Sequence, residues 1–423
     1  MTHDVLIVGG GPAGASTAFQ LARLGLRVRV LERAVFPRAK PCAECLSPQT
    51  SRVLHDMGLL RELESQGVWL RGMIVRAPDG TTARGDYAAT HGFRAFRDSG
   101  LAIKRELLDD ALLRRAREAG ADVVEGCRVT GVLQRAGSRR DNSALGVSVL
   151  RSSGGTEEHR AAIVVGADGL RSVVARRLRL ARTAVWPHRI SLVAHYRDVG
   201  DVTDYGEMHV ERDGFVGIAD VGNGVTTVAA VFPRRRAREI SGDRSGFLDR
   251  WLASKPHLAR RFAGARREGP ASAVGPFASH ARRAWHPGAL LVGDAADFFD
   301  PFTGEGIHAA LRGGELVADA IQRALGGNAA TALDSFREYD AARRREFGGK
   351  WWVERLIGVG VAFPTIVNRA ARALAGRKEL ADLLVGVTGD FVPASRVLTL
   401  SYLARLLVLP VPTSPPHATA AWQ

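Results

Sequence analysis

Two glycine-rich segments, far apart in the chain, have the residue types that bind phosphate: Gly9-Gly10-Gly11-Pro12-Ala13-Gly14 and Gly293-Asp294-Ala295-Ala296. In the first, Gly9 permits a tight turn, Gly11 lets a diphosphate approach the backbone, and Gly14 lets the following helix pack close to the preceding strand. Pro12 and Ala13 belong to the same turn, which aims free backbone N–H groups and the positive end of the following helix dipole at a pyrophosphate. Glu32, with Arg33 beside it, stands about 20 positions further on, where an acidic residue grips a ribose hydroxyl. The second segment delivers a carboxylate, Asp294, to a turn. Asp168-Gly169, followed by Ser172, repeats that logic in mid-chain. An Asp at a strand end accepts hydrogen bonds from a polyol, and backbone N–H groups over Gly304 to Ile307, in the run Pro301-Phe302-Thr303-Gly304-Glu305-Gly306-Ile307, face an electron-rich ring. A flavin dinucleotide has both a ribityl polyol and such a ring, whereas a nicotinamide dinucleotide has no polyol of that kind. The expected cofactor is therefore FAD.

These groups need particular elements to hold them. Asp4 to Val8 reads as a short buried strand, Ala15 to Leu24 as a helix, and Arg27 to Leu31 as a second strand ending in Glu32. Ala161 to Gly166 and Ala289 to Val292 read as further buried strands, each running into its Asp turn. Arg105 begins a helix to Ala119 that leads to strands near Val123 and Val129, and a long helix runs from Glu305 to Leu325. Because the cofactor pieces come at the start, middle and end, other segments must be inserted between them. Residues 186–282 contain alternating stretches at Ile190–Tyr196, Gly206–Glu211, Phe215–Val221 and Thr226–Val231, with Gly222-Asn223-Gly224 as a turn, which predicts an antiparallel sheet roofing a substrate cavity. The expected class is α/β: a discontinuous Rossmann-like FAD-binding domain of the glutathione reductase type (1–68, 100–185, 283–330), an inserted β-sheet substrate domain (69–99, 186–282) and a C-terminal helical region (331–423) with a mobile tail from Thr413.

Together the Gly9–Gly14 fingerprint, Gly166-Ala167-Asp168-Gly169 and Gly293-Asp294 followed by Asp300-Pro301-Phe302-Thr303-Gly304-Glu305-Gly306-Ile307 resemble the flavoprotein fold of para-hydroxybenzoate hydroxylase. Within that superfamily, Lys40-Pro41-Cys42-Ala43-Glu44-Cys45-Leu46-Ser47-Pro48 and the Asp300–Ile307 run resemble the geranylgeranyl reductase branch. The resemblance implies that Cys42 lies beside the flavin, that Arg105 contacts the cofactor and that Val129 offers backbone groups to adenine. An i,i+4 surface ion pair with Asp109 is the other reading of Arg105, and plain strand core the other reading of Val129. This chain departs from the branch in having Ala43 and Cys45 where glycines are usual. It also has Phe215-Val216-Gly217-Ile218-Ala219-Asp220 where archaeal prenyl reductases have a Tyr-x-Trp-x-Phe-Pro stretch. The Trp-x-Trp-x-Ile-Pro signature of flavin halogenases is absent.

Candidate chemical groups near the ring are Cys42, Glu305 and His308. Glu305 either acts in chemistry or holds its own loop by capping bonds, and His308 either faces substrate or merely packs. Cys42-x-x-Cys45 has dithiol spacing, but Pro41 precedes it, and with Cys127 as the one remaining cysteine no metal site is expected. The implied reaction begins with NAD(P)H-dependent flavin reduction, the nicotinamide docking transiently. The reduced flavin is then expected to carry out C=C reduction of a prenyl-like or polyketide-like hydrophobic molecule, with hydroxylation or epoxidation through a flavin C4a-peroxide as the alternative.

The 423 residues, 46% hydrophobic, suffice for more than one domain, and an N-terminus that enters its first strand at once leaves no room for a signal core. A cytoplasmic protein is expected. Fifty-nine basic against 44 acidic residues give a net charge of +15. Arg234-Arg235-Arg236 and Arg343-Arg344-Arg345 lack interleaved aromatics or a groove-reading motif, so no nucleic-acid partner is expected, and a basic binding module with structural FAD stands as a distant alternative. The leucine-rich run Val397–Leu409 is broken by Arg405 and ends at Pro410, too short to span a bilayer. It either caps the cavity or a dimer, or lies on a membrane with Trp351 and Trp352 at the interface. Oligomeric state is left open.

Overall fold

Short apolar runs flanked by glycine turns build the central layer. In the computed structural model, which describes residues 3–135, 143–151, 154–183, 188–277, 279–304 and 306–411, the strand His3–Val8 lies between Thr156–Gly166 and Val28–Leu31, parallel to both. Val28–Leu31 in turn pairs with Asp122–Val124, and Thr156–Gly166 with Ala289–Leu291, all parallel, and Trp285–His286 closes that edge antiparallel. Val5 to Val8, Val30, Leu31, Val164, Val165, Leu290 and Leu291 are buried, as a parallel sheet covered on both faces requires. The helix Pro12–Arg23 packs on this sheet beside Arg105–Glu118 and Gly306–Leu325. It starts three residues earlier than the pattern suggests, because Pro12 at its first position is pre-set for helix.

A second sheet of seven strands is ordered Arg266–Val274, Arg189–Arg197, Val225–Pro233, Gly214–Asp220, Gly206–Glu211, Gly72–Arg76 and Thr82–Asp86. It is antiparallel except where Gly206–Glu211 meets Gly72–Arg76 in parallel. The Gly222-Asn223-Gly224 turn places all three residues at positive φ (+92°, +56°, +69°). The two faces of the sheet divide with period two. Leu192, Ala194, Val216, Ile218, Val228 and Ala230 pack outward on Phe247, Leu248 and Trp251 of the helix Arg244–Ala253, while Ser191, Val193, Phe215, Gly217, Ala229 and Val231 point the other way, into a cavity.

The C-terminal region consists of the helices Ala329–Gly360, Pro364–Ala375, Lys378–Thr388 and Leu400–Leu407. Lys378–Thr388 has no sequence start signal. Its N-cap is Arg377, with no side-chain capping bond, and only its packed face of Leu380, Ala381, Leu383 and Val387 gives it away. The tail from Thr413 lies outside the described residues.

Candidate functional site

One cavity of about 230 Å³ runs from the glycine turn to the inner face of the seven-stranded sheet. Its floor begins at Gly11, Pro12 and Ala13. Gly9 (φ +101°) turns the chain so tightly that a Cβ on Gly14 would lie 1.8 Å from the Gly9 carbonyl oxygen. Gly11 is the N-cap of Pro12–Arg23, and among the described residues no side chain accepts from the first N–H groups of that helix. Those donors and the dipole behind them therefore face the cavity without an internal acceptor. The Arg38 guanidinium stands 3.6 Å from where a Gly11 Cβ would be, and adds fixed positive charge there. An open helix start, a Cβ-free cradle and an adjacent cation fit the pyrophosphate of a dinucleotide.

Glu32 is buried, and its two oxygens accept from the N–H groups of Gly10 (2.7 Å) and Ala34 (2.9 Å). It braces the turn from below, while Arg33 is exposed. Val129 is buried in the core, paired with Val149. Arg105 lines the cavity, but its guanidinium is committed to Asp109 by two 2.8 Å bonds, and Arg38 approaches the same carboxylate at 2.9 Å. The expected pairing of Arg105 with Asp109 exists, yet not on the helix surface: the side chains are 5% and 0% exposed. Asp109 thus anchors two guanidiniums at the cofactor end of the cavity.

The two Asp turns differ. Asp294 opens on the cavity, flanked by Gly293, and burial raises its carboxyl above the usual carboxylate range against the pull of Lys40 and Arg105. Lys40, which also lines the cavity, is pushed down by burial and by Arg105. Asp168 faces away. Its carboxylate accepts from Val173 N–H at 2.5 Å and Val174 N–H at 3.4 Å, capping the helix Val173–Arg177 with help from Ser172, so only the backbone of Ala167 and Gly169 reaches the cavity. Of the two carboxylates expected to accept from a polyol, Asp294 lines the cavity and Asp168 does not: a short helix starting four residues after Gly169 takes its Oδ2, while its Oδ1 is buried without a partner among the described residues.

Pro301, Gly304 (φ +73°), Gly306 and Ile307 line the cavity, and Glu305 lies outside the described residues. Asp300 holds this loop by accepting from Phe302 N–H (3.1 Å) and from Arg189. His308 is not among the lining residues. It is buried behind them, 3.9 Å from Asp390, which pairs with Lys350, and burial beside Lys350 holds its ring well below the usual histidine range. The imidazole thus stands behind the cavity lining and not in it.

Cys42 lines the cavity and accepts from Glu44 N–H at 3.4 Å. Cys45 donates to the Ala43 carbonyl, and burial, with Cys42 and Glu44 nearby, pushes its thiol up to about 12. At neutral pH it stays a thiol, not a nucleophile. Cys45→Ala is expected to leave steady-state turnover unchanged within about twofold and the flavin spectrum unaltered; loss of turnover would restore the dithiol reading.

Sequence reasoning missed the far wall. Tyr339, Arg343, Phe347, Lys350, Trp351 and Glu354, all from Ala329–Gly360, line the cavity at helical spacing, with Asp390 beside them. The Tyr339, Arg343, Phe347, Lys350 and Glu354 stripe is legible as one helix face, but nothing in its composition tells which object that face covers. The capping role expected of the last helix belongs to this one, and Leu400–Leu407 packs instead on Pro364–Ala375.

A parallel Rossmann layer with an open glycine turn, an Asp-bearing second turn and a sheet-roofed cavity between them defines an FAD-dependent oxidoreductase. The chain belongs to the FAD binding domain family, whose model matches residues 2–347. It is 30% identical over 332 residues to digeranylgeranylglycerophospholipid reductase 2 of Methanothermobacter thermautotrophicus, covering 76% of this chain and 79% of that one. It is 28% identical over 403 residues to menaquinone reductase of Mycobacterium tuberculosis, covering 92% and 91%. Among solved structures it resembles the myxobacterial chondrochloren halogenase CndH, an FAD-dependent halogenase, with a TM-score of 0.77, 25% identity and coverage of 85% and 83%.

Proposed function

We propose that this protein uses NAD(P)H to reduce carbon–carbon double bonds in a hydrophobic, prenyl-like or polyketide-like small molecule. The observation that carries the reading is the roof of the cavity: Val193, Met208, Phe215, Val231, Val274 and Phe277 present a continuous apolar surface toward the cofactor end. Such a surface favours a ligand by the area it removes from water and offers few groups to orient a polar one. Two sequence relatives named as reductases, of a geranylgeranyl phospholipid and of menaquinone, support the same substrate character.

FAD, when bound, supplies two-electron transfer from the nicotinamide donor to the substrate. The chain's own groups do the rest. The open helix start at Gly11 to Ala13, with Arg38, would hold the pyrophosphate, Asp294 would accept from the polyol, and Gly304, Gly306, Ile307 and Cys42 would line the space left for the ring. Phe298, Phe299 and Trp351 add aromatic surface to the cavity wall. Each double bond takes up two electrons from NAD(P)H, one hydrogen delivered with them and one proton drawn from solvent.

The test is anaerobic incubation of the holoprotein with NADPH or NADH and polyprenyl or polyene acceptors, read by mass spectrometry. The expected product gains two hydrogens per reduced bond, with stoichiometric nicotinamide oxidation. Product formed only in air, with one added oxygen atom, would replace this reading by the monooxygenase one.

A further inference from the structure

Of the large apolar side chains that are exposed, most belong to one region. Trp352 (60% exposed), Leu356 and Val359 lie with Arg355 along one face of Ala329–Gly360 at the i, i+3, i+4, i+7 spacing of a helical stripe. Phe363 and Ile366 continue it across the turn into Pro364–Ala375. That helix packs against both Ala329–Gly360 and Leu400–Leu407, and the latter adds Leu400 and Leu407, seven residues apart, followed by exposed Val408 and Leu409. A contiguous apolar face of this kind is a place where something binds.

The charges say what. Arg355 lies over the rings of Phe299 (4.2 Å) and Trp352 (5.8 Å). Arg369 donates to the Leu409 carbonyl, and Arg377 to the carbonyls of Arg405 and Pro410. Among the described residues none of these three guanidiniums has a carboxylate partner, whereas Arg372 and Arg405 nearby are matched by Asp79 and Glu379. Apolar side chains interleaved with unneutralised arginines complement an interface that is apolar below and anionic above. A second copy would set the same cations against each other. We propose that this face, from Trp352 to Ile366 with Leu400 and Leu407 to Leu409, docks on the surface of an anionic lipid bilayer. No helix among the described residues is long and apolar enough to cross a membrane, so the contact is peripheral.

The placement has a second property. Arg355 stacks on Phe299, and Phe299 and Trp351, with ring centroids 6.0 Å apart, both line the cavity. One layer of aromatic rings separates the docking face from the cavity, so an apolar molecule leaving the bilayer meets the cavity wall before it meets bulk water.

The experiment is flotation of the FAD-loaded protein with vesicles of phosphatidylcholine alone or containing phosphatidylglycerol. Binding to the anionic vesicles is expected, weakened by raised salt but not abolished, since only the electrostatic part is screened. The double variant Trp352→Ser/Leu356→Ser is expected to retain its flavin spectrum and melting temperature, since both side chains are exposed, while the bound fraction falls about tenfold. Equal flotation of variant and parent, or a parent that stays with the aqueous phase, would overturn the proposal. So would a concentration-dependent dimer, seen by sedimentation without lipid, that the same substitutions dissolve. The readout is independent of turnover, so failure of the proposed reaction leaves this test intact.

Discussion

Gly11→Ala is expected to fold normally and to purify without FAD. A Cβ at this position would meet nothing of the protein closer than Arg38 Nη2 at 3.6 Å, an ordinary contact, so the polypeptide alone does not object to the methyl group. What the methyl group occupies is the mouth of the Pro12–Arg23 helix, where N–H groups stand without internal acceptors. Hydrogen bonds to a charged group contribute about 1.5–3 kcal/mol each, so displacing a phosphate from two of them weakens FAD binding on the order of a hundredfold or more. Gly14→Ala is expected to fail differently. Its Cβ would lie 1.8 Å from the Gly9 carbonyl oxygen, so strand and helix must separate and the melting temperature drops along with the flavin. Equilibrium FAD titration beside thermal melting distinguishes the two. A Gly11→Ala protein with the parent's FAD affinity would refute the placement of the pyrophosphate.

The second large effect is expected at Arg189. Its guanidinium, 7% exposed, pairs with Asp300, 4% exposed, and donates to the Gly358 carbonyl; its own carbonyl accepts from Phe277 N–H. One side chain thus ties the roof strand Arg189–Arg197 to the Pro301–Ile307 loop and to the helix Ala329–Gly360. Arg189→Met leaves a buried carboxylate without its counter-charge, which costs about 3–5 kcal/mol. Because the loss belongs to the orphaned Asp300 and not to the missing arginine as such, Arg189→Met/Asp300→Leu is expected to recover much of it. The pH dependence arises from the same carboxyl. Burial already raises Asp300 above the usual carboxylate range, against the pull of Arg189, and removing Arg189 raises it further. A raised folded-state carboxyl binds protons that the unfolded chain has released, so the variant loses stability as pH rises and regains it on acidification as Asp300 becomes neutral. Chemical denaturation of parent, single and double variants across mildly acidic to mildly alkaline pH measures this. A deficit of Arg189→Met that does not shrink toward acid would refute it.

The cofactor half of the molecule was legible because its signals are local and backbone-driven. Gly9, Gly11, Gly14, Gly293 and Gly304 are there for what a Cβ would obstruct or for positive φ, and strand–turn–helix order comes from short apolar runs. The roof sheet was legible for a similar reason, its period of two at Ile190–Tyr196 and Phe215–Val221. What side chains do once the chain closes was not. Asp168 and Asp294 read alike, and only the helix beginning at Val173 turns one of them inward. His308 reads as a helix-start donor, but the register of Gly306–Leu325 faces Ile307 and Ala310 to the cavity and His308 to Asp390. Trp351 and Trp352 read as a pair, yet a rotation of one residue on a helix puts the first in the cavity and the second in solvent. The far wall was missed because a helical stripe reports that it is covered, not by what.

The order of motifs along the chain fixes when the cofactor can be taken up as the protein is made. Ala289–Leu291 joins the central sheet only by pairing with Thr156–Gly166, and Asp294, the polyol acceptor, comes directly after it. A nascent chain therefore presents its pyrophosphate turn roughly 280 residues before Asp294 can complete the dinucleotide site. Until then the glycine turn waits without its partner, and Thr156–Gly166 lacks its neighbour Ala289–Leu291. FAD loading is thus expected to follow closure of the sheet, and chains cut short before Asp294 are expected to be clients of chaperones rather than small flavoproteins.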